Sequence, residues 1–232
     1  MKLHYHPAST TSRAVMLFAA ESGFAYEPVV VDLFTGEHLG EPYAAINPNR
    51  QVPVLVDGGF RLTECSAILK YLAESVGSPA YPADPKQRAR INERMDWFNT
   101  QFCRDFAYGF VYPQIFPTHK RPNTYIHGMT LDWHREKARQ WLEVLDRYII
   151  GPRHAYACGD AITLADYLGA PLVALGEVAR IDFGPYPNVR RWLDTMKALA
   201  SWPEVFAAID GYAASLADSA FEPLDVTELE AG

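Results

Sequence analysis

The chain has 232 residues, 49% hydrophobic, 13% aromatic and 21% charged, with a net charge of −7. That length carries a full core and two small domains, and the acidic balance argues against a nucleic-acid partner, whose phosphates call for a clustered basic surface. No apolar run reaches the ~18 residues of a membrane span, the start MKLHYHPAS has no secretion-signal apolar stretch, and Cys65, Cys103 and Cys158 form no CxxC or zinc pattern, so a cytoplasmic protein with reduced thiols is expected.

Residues 3–6 read as a strand and 12–22 as a helix with Val15, Leu17, Phe18 and Ala19 apolar. AYEPVVVDL, 25–33, holds a β-branched run that predicts a buried strand. GEHLGEPYAAINP is a turn-rich connection. QVPVLVDGGFRLTE predicts two short strands joined at Asp57-Gly58-Gly59, a hairpin signal. ECSAILKYLAESVG predicts a helix with Ile68, Leu69, Leu72 and Val76 on one face and Gly77 as its stop. GSPAYPADP, 77–85, has three prolines, a glycine and no periodicity, and marks a domain linker. Beyond it no strand pattern appears. Residues 86–116, 129–150, 163–180, 187–199 and 202–215 are helical in pattern, with Pro113 expected to kink or end the first of them. The expected division is an α/β domain over 1–77, an all-helical domain over 86–215 and an acidic tail over 216–232 that packs loosely or frays.

Four local signals go beyond secondary structure. The hydroxyl run Ser9 to Ser12 stands at the mouth of the first helix. It reads either as caps or as an anion site, since a helix N-terminus attracts negative charge. In NRQVPVLVDG, Pro53 opens a strand, where it has no N–H for the ladder. It is either a plain edge proline or a cis bond at a turn, which would leave the Val52 backbone open for an extended peptide to pair with. In TECSAI, the N–H groups of Cys65 and Ser66 could grip a carboxylate beside Glu64; the plain alternative is a cap by Thr63 or Glu64. In GDAITLADY, Thr163 and Asp166 form a capping box, with Ile162 and Tyr167 as a hydrophobic staple. His4 and His6 share a strand face, but no carboxylate or third ligand stands near them in the sequence, and no metal site is expected.

The proline before the third strand, the helix start ECSAI and the late capping box GDAITLAD resemble the marks of the cytosolic glutathione transferases. HPAS with Arg13 four residues after Ser9, GEH and EP at 36–42, NP and QVP at 47–53, and YPADPKQRARI at 81–91 look like the serine-type branch. That branch holds the theta and phi classes and bacterial dichloromethane dehalogenases. The resemblance covers residues 1 to about 215. It implies a thioredoxin-like glutathione-binding domain followed by an all-α domain that lines the second substrate's site. It also implies a homodimer, here through residues 62–105, a role in detoxification, and no cofactor or metal beyond glutathione as co-substrate.

On that resemblance Ser9 is the catalytic serine. It would donate a hydrogen bond to the glutathione thiolate rather than take its proton. Thr10, Thr11 and Ser12 are caps and supporting donors, with Thr10 at the edge of the electrophile site, and Arg13 braces the helix start. Tyr5 is the rival, since other classes use a tyrosine at the end of this strand; otherwise it packs in the core or between domains. The cysteinyl backbone of glutathione would pair with Val52 beside cis-Pro53. The γ-glutamyl carboxylate would meet the N–H and side chain of Cys65, and its ammonium Glu64. His38 and Gln51 would hold the glycyl end. Cys65 departs from the family's serine and is a weaker donor. The segment 97–116 is the expected wall for a small hydrophobic electrophile, with Phe102, Phe106, Phe110 and Tyr112 as candidates that also read as helix core, and Trp97 in the core. Arg104, or Cys103 beside it, matches an arginine that theta-like enzymes turn to the active site; Arg104 also reads as a solvated or interface charge. The implied function is attack of the activated glutathione thiolate on a hydrophobic electrophile, by conjugation or halide displacement. The alternatives are a glutathione-dependent peroxidase and a non-catalytic binding or assembly module. Disulfide reductases are disfavoured, because no cysteine precedes Cys65.

Overall fold

The computed structural model describes residues 1–225. The first domain runs β1 (Lys2–Tyr5), α1 (Thr10–Glu21), β2 (Glu27–Val30), α2 (Glu41–Ala44), β3 (Val54–Asp57), β4 (Phe60–Leu62) and α3 (Cys65–Ser75). The four strands form one sheet in the order β2-β1-β3-β4. β1 is parallel to β2 and antiparallel to β3. A parallel pair needs a crossover, and α1 supplies it. β2 is shorter than the expected 25–33 because β1 offers partners only from Glu27 to Val30. Asp57 pairs with Phe60 across a two-glycine turn, in which Gly58 takes φ 57°, open to glycine without a Cβ clash. Ile68, Leu69 and Leu72 of α3 are buried as expected, but Val76 lies past the last turn and is 41% exposed.

The helical domain follows as α4 (Pro85–Trp97), α5 (Tyr112–Ile115), α6 (Thr124–Val144), α7 (Leu164–Val178), α8 (Pro187–Lys197) and α9 (Trp202–Ser215). α4 and α5 are joined by a π-helical stretch, Phe98–Val111, and α6 continues as another, Leu145–Ile150. The expected break at Pro113 is therefore misplaced. Pro113 sits in the first turn of α5, and the winding changes at Phe98 instead. α6 starts at Thr124 rather than 129 because Asn123 caps it, accepting from the Ile126 N–H at 3.0 Å. No described helix is long and apolar enough to cross a membrane.

The segment 77–85 is a packed joint rather than a loose linker. Ala80 is buried and its carbonyl accepts from the Leu164 N–H at 3.1 Å. One apolar core runs through both domains, from Leu3, Phe18 and Leu69 to Phe98, Phe106 and Trp192. A smaller cluster of Val31, Tyr43, Val52 and Val54 forms separately from it. The helical core closes on two glycines of α7: a Cβ on Gly169 would stand 2.3 Å from the Phe98 ring, and one on Gly176 2.8 Å from the Phe106 ring.

The capping box is present, and Asp166 does more than cap. Its oxygens accept from the N–H groups of Ala157 (2.7 Å) and Thr163 (2.8 Å), from the Thr163 hydroxyl (2.9 Å) and from Trp192 Nε1 (2.9 Å). Tyr167 of the expected staple packs edge-on against Phe18 of α1 at 5.3 Å, across the domains. The tail up to residue 225 is pinned, contrary to expectation. Arg180 donates to the carbonyls of Leu216, Ala217 and Ser219, Arg135 to the Pro223 carbonyl, and Leu224 is buried. The rest of the expected tail, 226–232, lies outside the described residues.

Removing the Asp166 carboxylate takes the acceptor from four buried donors, each worth about 1–3 kcal/mol when left unpaired. Asp166→Ala is expected to lower unfolding stability by about 3 kcal/mol or more, and Asp166→Asn by less, as read by urea denaturation.

Candidate active site

The N-cap of α1 is Ser9 and not one of the expected caps Thr10, Thr11 and Ser12, because the helix begins at Thr10 rather than at 12; the Ser9 Oγ accepts from the Ser12 N–H at 3.3 Å. Each neighbouring hydroxyl is tied to a different segment. Thr10 Oγ1 accepts from the Tyr112 hydroxyl at 3.0 Å, Thr11 Oγ1 donates to the Val52 carbonyl at 3.1 Å, and Ser12 Oγ accepts from the His6 N–H at 3.4 Å. Ser9 Oγ and Thr11 Oγ1 lie 3.3 Å apart. Thr11 has one hydroxyl hydrogen, and it goes to Val52. The hydrogen between the two hydroxyls therefore belongs to Ser9. It is the donor that this helix start can offer to an incoming group.

Arg13 is fully buried, and its Nη1 donates to the Ala8 carbonyl at 3.1 Å, just before Ser9. Its guanidinium lies over the Phe206 ring at 4.9 Å. Burial lowers its pKa to about 10, so it stays cationic at neutral pH. Nε and Nη2 have no protein partner among the described residues. Tyr5 packs edge-on against Tyr26 at 6.4 Å, as its packing alternative requires. His6 is buried and its Nδ1 accepts from the Ala8 N–H at 3.2 Å. No group of three or more metal-ligating side chains forms among the described residues.

The Val52–Pro53 bond is cis. The segment before it is held from below: the Gln51 carbonyl accepts from the Tyr43 hydroxyl (2.8 Å) and from Asn47 Nδ2 (2.7 Å). Sequence reading missed both of these anchors. The Gln51 side chain is exposed, and the Val52 N–H has no protein acceptor among the described residues. His38 sits in a 3₁₀ turn, Glu37–Leu39, opened by Gly36 at φ 80°. Its Nδ1 is buried and has no protein partner among the described residues.

Glu64 holds φ 66° and ψ 113°, a left-handed backbone that is uncommon for a residue with a side chain. It is the N-cap position of α3, yet its carboxylate makes no capping bond. That leaves an exposed negative charge next to the unpaired first-turn N–H groups of Cys65 and Ser66. The expected role of the Cys65 side chain needs correction. Its thiol is buried and donates to the Thr11 carbonyl at 3.2 Å, and burial pushes its pKa up. Only the Cys65 N–H remains for a ligand.

The expected electrophile wall is half wrong. Phe102, Phe106 and Phe110 are fully buried in the helical core, Phe102 stacking on Phe106 at 4.6 Å. Trp97 packs beside them as expected. Arg104 makes a bidentate pair with the buried Asp105 (3.0 and 2.8 Å), which also binds His134 and Trp141. Cys103 is half-buried, and burial raises its thiol to about 12. Tyr112 stands beside Thr10, and burial keeps its hydroxyl protonated as the donor. The aromatic side chains near it are ones the sequence reading missed. Tyr108 packs on Tyr112 at 4.8 Å, Phe116 on Tyr112 at 5.3 Å, and His119 on Tyr112 at 5.1 Å. Tyr212 of α9 stacks on Phe116 at 5.4 Å and on Phe34 at 5.6 Å, which closes the row onto the first domain. A signal did exist: the all-Phe stripe has no polar tips to satisfy and suits a dry core, whereas the Tyr stripe carries hydroxyls that need a partner or water.

A thioredoxin-like sheet domain with a capped α1, a cis-proline edge and an open α3 start, followed by an all-helical domain, is the glutathione transferase architecture. The family model for the glutathione S-transferase N-terminal domain matches residues 1–74, and that for the C-terminal domain matches 116–200. A delta-class glutathione transferase from Nilaparvata lugens is 30% identical with a TM-score of 0.79, over 92% of this chain and 96% of that one. Human glutathione transferase theta-2, solved with glutathione and an unknown ligand, is 26% identical with a TM-score of 0.82, over 96% and 93% of the two chains. An apo form of human glutathione S-transferase T1-1 is 28% identical with a TM-score of 0.76, over 97% and 93%. The chain belongs to the glutathione S-transferase family and is an enzyme of that class.

The placement of Glu64 and Cys65 gives a sharp contrast. A hydrogen bond to a charged group is worth about 1.5–3 kcal/mol, so Glu64→Ala is expected to raise the KM for glutathione about tenfold or more. Cys65→Ala should leave it within about twofold, because the thiol faces the core. Steady-state kinetics with glutathione as the varied substrate checks both.

Proposed function

We propose that this enzyme holds the glutathione thiolate at Ser9 and joins glutathione through that sulfur to a small hydrophobic electrophile, by conjugation or halide displacement. The observation that carries this is the Ser9 hydroxyl hydrogen, which has only the long 3.3 Å contact to Thr11 Oγ1 to give up when it turns to an anion at the helix N-terminus, while Thr11 is committed to Val52. The thiol proton leaves to solvent, since a serine hydroxyl is too weak an acid to be an anion near pH 7 and serves as donor. The developing charge on sulfur meets that donor and the N-terminal dipole of α1.

The other anchors suit the rest of a tripeptide with two carboxylates and an ammonium. The Val52 N–H offers main-chain pairing for the cysteinyl unit. The first-turn N–H groups of α3 suit the γ-glutamyl carboxylate, and the free carboxylate of Glu64 suits the ammonium. The unpartnered His38 Nδ1 and the exposed Gln51 side chain serve the glycyl end. The aromatic row from Tyr108 to Tyr212 takes the electrophile. A cytoplasmic C2 homodimer acting in detoxification completes the reading. The exposed Val76 at the end of α3 supports the expected interface over 62–105, and the exposed Phe60 lies just before it in the chain.

Ser9→Ala should leave glutathione affinity nearly unchanged and raise the pKa of the bound thiol. The lost bond is worth about 1.5–3 kcal/mol, which at ~1.36 kcal/mol per unit is about one to two pKa units. Thiolate absorbance titrated against pH in the enzyme–glutathione complex reads the shift. Tyr5→Phe should leave it in place; a thiolate lost in Tyr5→Phe and kept in Ser9→Ala would overturn the assignment. Light scattering at micromolar concentration should give the mass of two chains.

A further inference from the structure

The aromatic row has few polar tips left to spend. The Tyr112 hydroxyl is committed to Thr10 and the Tyr212 hydroxyl to the Ile115 carbonyl. Phe34 and Phe116 have none. The two remaining members are Tyr108 and His119. His119 belongs to the 3₁₀ turn Pro117–His119 that follows α5, and its own N–H is fixed on the Phe116 carbonyl at 3.0 Å. Its ring is held among Tyr108, Tyr112 and Phe116, with centroids 5.1–6.0 Å away. Its Nδ1 lies 3.2 Å from the Thr118 hydroxyl, and its Nε2 has no protein partner among the described residues.

From this geometry we propose that His119 is a substrate-contacting hydrogen-bond donor of the electrophile site, selecting electrophiles whose attack by sulfur places negative charge on oxygen, such as enones, over simple alkyl halides. The inference rests on the transferase reading above. In the tautomer it requires, Thr118 donates to Nδ1 and the proton sits on Nε2. Burial, aided by the charge of Arg121, holds the imidazole below its ordinary range. The ring is therefore neutral at pH 7 and carries one N–H in otherwise aromatic surroundings.

The step balances as an addition. The thiolate sulfur forms a bond to the β-carbon of the enone, and the π pair of the carbon–carbon bond shifts until the carbonyl oxygen bears the charge. Nε2–H donates a hydrogen bond to that oxygen. The enolate then takes a proton from water at the α-carbon. An alkyl halide builds its charge on the departing halide instead and gains nothing from a donor fixed for oxygen. Tyr112 links the two ends of the site, with its hydroxyl on Thr10 beside Ser9 and its ring against His119.

The test compares kcat/KM for 4-phenylbut-3-en-2-one and for iodomethane in wild type, His119→Phe, His119→Gln and Tyr108→Phe, with the thiolate pKa titrated in each. Losing an enclosed oxyanion donor costs about 10²–10³ in rate; at this half-buried position we expect about tenfold to a hundredfold in His119→Phe for the enone. The thiolate pKa should stay at its wild-type value, iodomethane turnover should fall by far less than enone turnover, and His119→Gln, which keeps an N–H, should recover most of the loss on the enone. Equal losses on both electrophiles, no loss on the enone, a wild type that accepts iodomethane alone, or a selective loss in Tyr108→Phe in place of His119→Phe would each overturn the assignment. A wild type that forms no glutathione thiolate would overturn the transferase reading with it, whereas thiolate formation with an unselective His119→Phe removes only this inference.

Discussion

The 3.1 Å bond from the Thr11 hydroxyl to the Val52 carbonyl sets the spacing of everything around it. It ties the start of α1 to the edge that ends at cis-Pro53. It adds a side-chain link between two loops that leave the paired strands β1 and β3. The same short run fixes the second domain, because Thr10 accepts from Tyr112 more than a hundred residues later in the chain. Ser12 turns the other way and holds the His6 N–H. Consecutive hydroxyls on the first turn of a helix point in different directions, so one turn can hold several segments at once. This answers why the sequence places so many of them there: capping accounts for Ser9, and cross-links account for the rest.

Arg13 adds an electrostatic part to this node. A buried cation is costly unless hydrogen-bonded or paired. Here the stabilising groups are the Ala8 carbonyl and the face of Phe206, both weaker than a carboxylate at contact distance. Among the described residues no carboxylate pairs with Arg13 directly, although Asp210 acts on it through space, and the guanidinium keeps its charge. It acts in the same direction as the α1 dipole, toward holding an anion at the helix start. Asp105 is the opposite case. Its carboxylate is closely partnered by Arg104, His134 and Trp141, so it ties the π-helical stretch Phe98–Val111 to α6 and leaves little field outside.

How much of this was legible in the sequence follows the range of the interactions. The thiol side of the site is built from short segments: HPAS, QVP and TEC each place their groups within a few residues. Their spacing could be read directly, and Ser9, cis-Pro53 and Glu64 stand where it put them. Cys65 was misjudged because its rotamer depends on Thr11, which is distant in sequence. The electrophile side was read poorly for the same reason. The helix over 98–111 is wound more widely than an α-helix, which rotates the faces that a 3.6-residue period would predict. The Phe stripe turned inward and the Tyr stripe outward. Nothing in the residue pattern announced that change of winding.

The tail shows why the electrophile side depends on weak contacts acting together. Tyr212 reaches the row of rings only because α9 lies across α5, its hydroxyl on the Ile115 carbonyl and its ring between Phe34 and Phe116. α9 is held in turn by the segment after it. Arg180 gathers the carbonyls at its C-terminal end, where a cation is favoured by the helix dipole. Arg135 and Arg139 catch Glu222 and Asp225 further on. Exposed ion pairs of this kind contribute about 0–1 kcal/mol each. Leu224, buried between them, anchors the strap by area rather than charge. The surroundings of Ser9 and the row of rings thus differ in kind. The first are fixed by hydrogen bonds, most of them inside the first domain, and the second is assembled from α5, α9 and the loop of Phe34, so substitutions in the tail can reshape the row of rings without disturbing Ser9.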